Sequence, residues 1–581
     1  MSRKSPSRKS EKKADVVRRF RMRSGILSSV FIVVAVILVG RVAKLQVLDR
    51  EFLNQQADAR HLRRTNIVAH RGAITDRFGE PLALSTPVDS IWVNPKELVP
   101  EMDQLPRLAK ALQIDADQLM RNVNRNLTRE FVYLRRHVRP EQVRRVSDLE
   151  LPGIDVQREF KRFYPAGEVA GHLVGFTDID GVGQEGLELA YNHALKGENG
   201  AKRVLRDRKG QVFRDVESIS TPRHGETLAT SIDLRLQYFA YRELKRAMQR
   251  NGARSGSMVI VDVHTGEVLA MVNQPSYNPN DRSQYKPVRY RNRAITDIME
   301  PGSSIKPLIV AAALENGVLQ ADDIIDTSPG FVQVGAKRIE DHHNLGPIDL
   351  TTLIARSSNV GITKIAIRMQ PEQLWRGLTA LGLGSLTSSG FPGESGGLLS
   401  HFNHWKKISQ ATIAYGYGLS VTPLQLARAY AALGNGGELK PVSLLRQAGP
   451  VAGERVFSAE TTDTVLRMME HVVLPGGTGT KAAIPGYRVA GKTGTAWKFA
   501  AGGYSQDKYL SLFAGLVPAS NPRLAAVVVI DEPTGVDYYG GDVAAPVFAE
   551  VMAEALRLMA LTPDDAPGLE RQITAQIGDA R

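Results

Sequence analysis

Between Ser24 and Gly40 the chain runs for 17 residues without a charged side chain, and Val30-Phe31-Ile32-Val33-Val34-Ala35-Val36-Ile37-Leu38-Val39 lies at its centre. A run of this kind leaves few options: a bilayer, a cleaved signal or a buried core helix. With Arg41 able to reach the lipid surface and Val42-Ala43 added, it approaches the roughly 20 residues needed to cross a membrane. No small-x-small cleavage pattern follows, and Gly40–Lys44 leads directly into the helical-looking Leu45-Gln46-Val47-Leu48. The sequence therefore predicts an uncleaved single-pass transmembrane anchor over 24–43. Residues 1–23 carry ten Lys/Arg against Glu11 and Asp15, so +8 of the net +13 sits in this tail. A basic tail on a nearly balanced body is a topology signal rather than a nucleic-acid patch. It puts 1–23 in the cytoplasm and everything beyond residue 45 outside it, with no nucleic-acid partner.

At 581 residues the chain exceeds one ordinary core, so at least two folded domains are expected. It has no cysteine, which excludes disulfides, thiol catalysis and Cys-based zinc sites and is compatible with an oxidising compartment. Residues 44–62 read as a polar continuation of the anchor helix. Arg71–Ala83 alternates about an Arg77-Phe78-Gly79 turn and reads as a hairpin. Residues 100–150 look helical and basic, with Arg135-Arg136 and Arg144-Arg145 expected on a solvated face. Residues 162–188 are rich in glycine and turn residues. Near residue 225 the texture changes. An amphipathic helix is predicted from Ile232 to about Arg250, then a hairpin pairing Met258–Val263 with Val268–Val272 about His264-Thr265-Gly266-Glu267. Helical segments are expected through about 435, strands at Leu510–Val517 and Leu524–Ile530, and a last amphipathic helix at Ala544–Leu561. Strands at both ends with helices between them fit an α+β fold, an antiparallel sheet flanked by helices. Residues 562–581 read as a flexible tail.

Three short stretches carry chemistry. Glu300-Pro301-Gly302 forms a turn, after which Ser303-Ser304-Ile305-Lys306 opens a helix, with Pro307 tolerable in the first turn where no intrahelical N–H partner is required. Ser303 and Lys306, three apart, share a helix face. A lysine pressed against apolar neighbours loses proton affinity and becomes a base for a nearby hydroxyl. Taken alone, S-x-x-K recurs by chance. Ser357-Ser358-Asn359 joins two helix-like segments and can place a hydroxyl and an amide in one pocket, although both residue types are ordinary in loops. Lys492-Thr493-Gly494-Thr495 offers a strand-like lysine between glycines, so that a substrate backbone can lie along the edge while the lysine and hydroxyls hold a carboxylate. The N–H groups of Thr495 and Ser303 are candidates for holding a developing oxyanion.

Gly486-Tyr487-Arg488-Val489-Ala490-Gly491-Lys492-Thr493 also matches the phosphate-loop pattern G-x-x-x-x-G-K-T, and Val527–Glu532 resembles a metal-binding strand. The context argues against it. Ala482-Ala483-Ile484-Pro485 is too short for the preceding strand, and Gly494 and Gly502-Gly503 oppose a helix starting at the lysine.

S-x-x-K, S-x-N and K-T-G in this order, with gaps from 303 to 357 and from 359 to 492, resemble the signature of penicillin-binding proteins and serine β-lactamases. With the anchor and the long N-terminal region, the chain resembles the class B penicillin-binding proteins. Arg71–Ala83, Arg162-Phe163-Tyr164-Pro165 through Gly186, Tyr538-Tyr539-Gly540-Gly541 and Ala544–Phe548 narrow the likeness to the cell-division transpeptidases of the penicillin-binding protein 3 type. The resemblance implies an elongated pedestal at 44–224 for dimerisation or partner contacts and a penicillin-binding transpeptidase domain at 225–561. It implies Ser303 as nucleophile on a D-Ala-D-Ala stem peptide of peptidoglycan, Lys306 as its base, Ser357 as proton relay and Asn359 as a grip on the peptide. Lys492, Thr493, Gly494 and Thr495 would bind the terminal carboxylate, with Tyr538 lining the pocket. It further implies β-lactams as covalent inhibitors, no metal or organic cofactor, and a SEDS-type glycosyltransferase among divisome partners in the bacterial inner membrane. Three other readings stand beside it: a D,D-carboxypeptidase or β-lactamase that uses the same trio but passes the acyl group to water, an elongation-type paralogue, and a non-catalytic divisome scaffold, against which the three intact motifs argue.

Overall fold

The computed structural model describes residues 8–48, 62–206, 212–500 and 503–565. Helix α1 (Arg8–Ala43) continues as a helical turn over Lys44–Leu48. Its apolar stretch, Arg21–Gln46, is long enough at 1.5 Å per residue to cross a bilayer, and its most apolar window is not buried against the rest of the protein. By length and composition it is a candidate single-pass membrane anchor. The expected polar continuation holds to residue 48. Residues 49–61 lie outside the described residues, and strand structure begins at Leu62.

The N-terminal region is built on strands β1 (Leu62–Ile67), β2 (Ile74–Thr75) and the long β3 (Pro81–Val93). The predicted hairpin is present, with Ile74 opposite Ala83 and Thr75 opposite Pro81. Helices α2 (Leu105–Leu112) and α3 (Ala116–Arg125) follow, then strand β4 (Val132–Val138), helix α4 (Pro140–Ser147) and strand β5 (Ile154–Phe163). β4 corrects the all-helical expectation for 100–150. Its apolar positions are too few to set a period, and pairing with β3 decides its conformation. Arg136 on β4 is also not simply solvated. It is mostly buried and bonds Glu159 (2.8 Å) and Asp180 (2.6 Å). Arg144 and Arg145 are exposed, as expected.

A buried charge network locks this region together. Glu188, fully buried in the short helix Gly186–Ala190, accepts from Arg71 Nε and Arg162 Nε, both at 2.6 Å. Arg71 also donates to Asn192 Oδ1 (2.8 Å) and Glu188 O (2.8 Å), and Arg162 Nη1 donates to Ser85 Oγ (3.2 Å), while Arg162 Nη2 has no partner among the described residues. Strands β6 (Gly200–Arg206) and β7 (Val212–Ser220) complete a small sheet with β1, and β8 (Leu228–Ala229) pairs parallel to β2. Asn280 clasps the Tyr164 backbone from the C-terminal half, donating to its carbonyl (2.9 Å) and accepting from its N–H (3.0 Å).

The C-terminal half opens with α5 (Leu234–Arg250), whose N-terminal N–H groups are capped by Asp233. Strands β9 (Ser255–Asp262) and β10 (Val268–Gln274) form the predicted hairpin. After helix α6 (Lys306–Glu315) come four short strands, β11 (Ile324–Asp326), β12 (Phe331–Val334), β13 (Lys337–Glu340) and β14 (Pro347–Asp349), in two small antiparallel pairs where helix was expected. Strands of three or four residues give no readable periodicity. Helices α7 (Leu350–Arg356), α8 (Asn359–Arg368), α9 (Pro423–Gly434) and α10 (Ala459–Glu470) follow, then β15 (Ala490–Ala500), β16 (Gly503–Val517), β17 (Leu524–Asp531) and α11 (Ala545–Leu558). The main sheet is antiparallel in the order β10-β9-β17-β16-β15, so the first and last strands of this half share one sheet and β15 is an edge. Side chains alternate across it. Met258, Ile260, Val528 and Phe513 pack on α5 and α11, and Val259, Val261, Val527 and Leu512 pack toward the helical side that contains α6 and α9. Against the expected flexible tail from 562, Asp564 accepts from Arg488 N (2.7 Å) and Ser520 Oγ (2.6 Å), which ties down the chain to 565; residues 566–581 lie outside the described residues.

Candidate active site

Ser303 stands in a tight 3-10 turn, Gly302–Ile305, that feeds into α6 at Lys306. In such a turn residues three apart eclipse, which aligns Ser303 with Lys306. The body of α6 is buried nearly all round, so the side chain of Lys306 is drawn into the interior with it and is fully buried. Its Nζ donates to Ser357 O (2.6 Å), Ser357 Oγ (3.2 Å) and Asn359 Oδ1 (2.8 Å). These three bonds use every donor of an ammonium. The Ser303 hydroxyl, partly exposed, makes no hydrogen bond among the described residues, so the expected Ser303–Lys306 contact is alignment without a bond in this state. A neutral Lys306 has a lone pair to offer the hydroxyl, and burial favours that form. The Lys306 pKa lies well below the ordinary lysine value, first because of burial and then because of the positive charge of Lys492, with Asp341 opposing.

Ser357 and Asn359 reach Lys306 because the chain reverses sharply between α7 and α8. Ser357 takes the left-handed conformation (φ 61°, ψ 42°), and Ser358 caps α8 by accepting from Gly361 N (2.8 Å). Asp341, from the end of β13, completes this turn: its carboxylate accepts from Ser358 Oγ, Asn359 N and Val360 N. Sequence reasoning missed Asp341, because a residue capping a helix that starts 18 positions later leaves no local pattern. The side-chain amide of Asn359 is engaged at both ends, with Oδ1 on Lys306 and Nδ2 donating to Glu340 O (3.3 Å). One of its N–H groups remains for a ligand.

Lys492 to Thr495 lie on the edge strand β15 and not at the start of a helix, which disposes of the phosphate-loop match. Lys492 is fully buried, and burial pushes its pKa down to about 7. Its Nζ reaches Thr493 Oγ1 (3.3 Å), which in turn meets Thr478 Oγ1 (2.8 Å). A Cβ on Gly494 would stand 2.9 Å from Pro301 O and 2.7 Å from Leu512 Cγ, so a glycine is required for the serine turn to approach the strand. A Cβ on Gly416 would stand 2.0 Å from Gly302 O, so the same turn is seated on a glycine from the other side. Thr495 O faces that turn, 3.4 Å from the Cβ position of Gly302. Both backbone groups of a strand residue point to the same side, so the Thr495 N–H also faces the turn that carries Ser303. Thr495 Oγ1 accepts from Gly540 N (3.0 Å), which draws the 538–540 loop alongside. Tyr538 in this loop stacks on Tyr509 (4.0 Å between ring centres), and its carbonyl accepts from Ser511 Oγ. The three motifs thus converge on one cleft between the sheet edge and the helical side.

Comparison with known proteins agrees with this arrangement. Residues 256–553 match the model of the penicillin binding protein transpeptidase domain, and residues 66–230 match that of the penicillin-binding protein dimerisation domain. The peptidoglycan D,D-transpeptidase FtsI of Escherichia coli K12 is 45% identical over 547 residues, 93% of this chain and 92% of that protein. The probable peptidoglycan D,D-transpeptidase PenA of Neisseria meningitidis is 40% identical over 95% of this chain and 96% of its own length. Among solved structures, penicillin-binding protein 3 of Mycobacterium tuberculosis complexed with aztreonam superposes with a TM-score of 0.67 at 27% identity, covering 87% of this chain and 99% of that one. The transpeptidase domain of Burkholderia pseudomallei penicillin-binding protein 3 gives 0.54 at 42% identity over 58% of this chain and 97% of that one. With a serine turn that leads into the helix burying Lys306, both at the junction of a sheet edge and a helical lobe, and with relatives spanning nearly its full length, the chain belongs to the penicillin-binding protein transpeptidase family.

Proposed function

We propose that this chain is a serine-type peptidoglycan D,D-transpeptidase that cross-links stem peptides during septal wall synthesis through an acyl-enzyme on Ser303. The observation that carries this reading is the environment of Lys306, a lysine without solvent contact, depressed in pKa, at the head of the helix whose preceding turn presents Ser303. Neutral Lys306 takes the Ser303 proton as Oγ attacks the penultimate D-Ala carbonyl. The N–H groups of Ser303 and Thr495 hold the resulting oxyanion. Collapse breaks the peptide bond, and Ser357, bonded to Lys306 Nζ, passes a proton to the departing D-Ala amine. A side-chain amine of a second stem then attacks the ester, loses its proton by the reverse route and regenerates the Ser303 hydroxyl. Lys492, kept as an ammonium by the substrate carboxylate, fixes the terminus with Thr493 and Thr495, Gly494 lets the backbone lie close, Asn359 contributes its free amide N–H, and Tyr538 lines the cleft. β-Lactams acylate Ser303 as mimics of the donor.

The domain limits accord with the same reading: a pedestal over 44–224 and a catalytic domain over 225–561, onto which Asp564 fastens the next few residues. The basic tail supports an orientation with residues 1–23 in the cytoplasm and the catalytic domain in the periplasm of an inner membrane. A SEDS-type glycosyltransferase is the proposed membrane partner, a polymerase to supply the glycan strands whose stems the transpeptidase domain would cross-link. The septal role is supported by the likeness to FtsI. Mass spectrometry of the intact chain after exposure to a β-lactam tests the core of the proposal. One covalent adduct mapping to the peptide that contains Ser303, and absent from Ser303→Ala, is expected; an adduct elsewhere overturns it.

A further inference from the structure

Among the described residues no further strand pairs with β15 on its outer side, so its outward N–H and C=O groups form a sheet edge open to strand pairing beside the serine turn. Alternate residues of a strand point the same way, which gives Thr493, Thr495 and Trp497 a common outward direction. The rung at Trp497 is already occupied: its N–H donates to the hydroxyl of Tyr417 at 3.2 Å. Tyr417 is held in place. Its ring meets Tyr504 edge-on at 5.3 Å and Tyr415 at 5.6 Å. The Tyr504 hydroxyl donates to Glu300 Oε1 (2.9 Å), and the same oxygen accepts from Gly418 N (2.8 Å). Tyr504 stands opposite Phe499 across the β15–β16 hairpin. Side chains from the hairpin, from the 415–418 loop and from the residue three before Ser303 therefore form a strap across one end of the cleft, at the point where a third rung would open.

We propose that Tyr417 is a specificity-determining stop: it limits strand pairing by the donor peptide to the rungs at Thr493 and Thr495 and turns the upstream stem away from the sheet. This rests on the reading of the site given above. With the donor carboxylate at Lys492 and Thr493 and the reacting carbonyl at Thr495, the upstream part of the stem runs toward Trp497. An extended peptide continuing in register would bring its next carbonyl opposite the Trp497 N–H, where the phenol of Tyr417 already sits. A short donor ends before this point and does not meet the stop.

The contrast between donors supplies the test, made on the full-length chain in detergent with N-acetyl-D-Ala-D-Ala and an N-acylated pentapeptide ending in D-Ala-D-Ala. Tyr417→Ala removes the ring and opens the rung. The ratio of kcat/KM for the pentapeptide over the short donor should rise about 2- to 10-fold, chiefly through KM, the effect of one added hydrogen bond. Tyr417→Phe keeps the ring over the edge, so the ratio should not rise, while amide exchange at Trp497, read by mass spectrometry, should accelerate for loss of its acceptor. A ratio that stays flat or falls in a Tyr417→Ala protein that still labels with penicillin overturns the stop. Unchanged Trp497 exchange in Tyr417→Phe does the same, and it decides the matter if the alanine variant does not fold. A wild-type chain that fails to label with penicillin at all overturns the enzymatic reading and the stop together, a result distinct from either of these.

Discussion

Replacing Asp341 separates two things this carboxylate does at the Ser357–Asn359 turn. One oxygen accepts from both Asn359 N and Val360 N, and the other accepts from Ser358 Oγ. The same charge pushes the pKa of Lys306 upward against burial. In Asp341→Ala the two N–H groups at the start of α8 lose their acceptor. Ser358 still caps Gly361 N, and Asp341 and Asn359 are only partly buried, so water replaces part of what is lost. A loss of about 2 kcal/mol is then expected, between a lost cap and a lost pair of charge-assisted bonds. If that energy holds Ser357 and Asn359 against Lys306, acylation slows by about 30-fold. Asp341→Asn keeps an oxygen for both backbone donors and removes the charge, which lowers the Lys306 pKa further and leaves the neutral base populated. Its acylation rate should stay within about 3-fold of wild type, well short of the loss that a missing cap produces. The assay is the second-order rate of labelling by a fluorescent penicillin, with thermal unfolding as a check on the fold. Equal losses in both variants would show that the charge and not the cap is the agent; a wild-type rate in Asp341→Ala would refute the reasoning altogether.

Three further outcomes are expected. The acylation rate should be bell-shaped in pH. It rises as Lys306 loses its proton below the ordinary lysine range, and it falls near pH 7 as the free enzyme's Lys492 becomes neutral and can no longer attract a carboxylate; a rise that continues to pH 10 would contradict this assignment. Gly494→Ala should cut labelling about 10-fold or more, since the added carbon overlaps Pro301 O and Leu512 and forces the serine turn off the strand at a cost of about 1–3 kcal/mol; unchanged labelling would refute the close approach. Glu188→Ala should destabilise the chain by about 3–5 kcal/mol because Arg71 and Arg162 remain buried without their counter-charge, and a melting temperature within a degree of wild type would sink that account.

How much the sequence made legible depends on the range of the interactions. The helix from 234 to 250, the hairpin at 255–274 and the strands at 503–531 are long, regular and closed by local signals, so pattern alone locates them. The serine turn and the lysine strand could be placed on their elements because Pro301-Gly302 and the glycines about Lys492 punctuate the chain locally. Residues acting across long separations were not legible. Asp341 was one acid in a polar loop until the fold brought it to Ser358. Arg136 belonged to a charge run until β5 delivered Glu159, and Tyr417 was a tyrosine between glycines until β15 passed beside it. The short strands β11 to β14 were lost for the opposite reason, being too brief for any period and fixed by their partners.

The left-handed backbone at Ser357 has an evolutionary corollary. A side chain there costs about 1–2 kcal/mol that glycine would not. Selection for thermal robustness alone would drive this position to glycine and, in the same step, delete the hydroxyl next to Lys306. Keeping serine means accepting a less durable loop in exchange for chemistry, and a stabilised descendant carrying glycine at 357 would be expected to persist as a folded but silent protein.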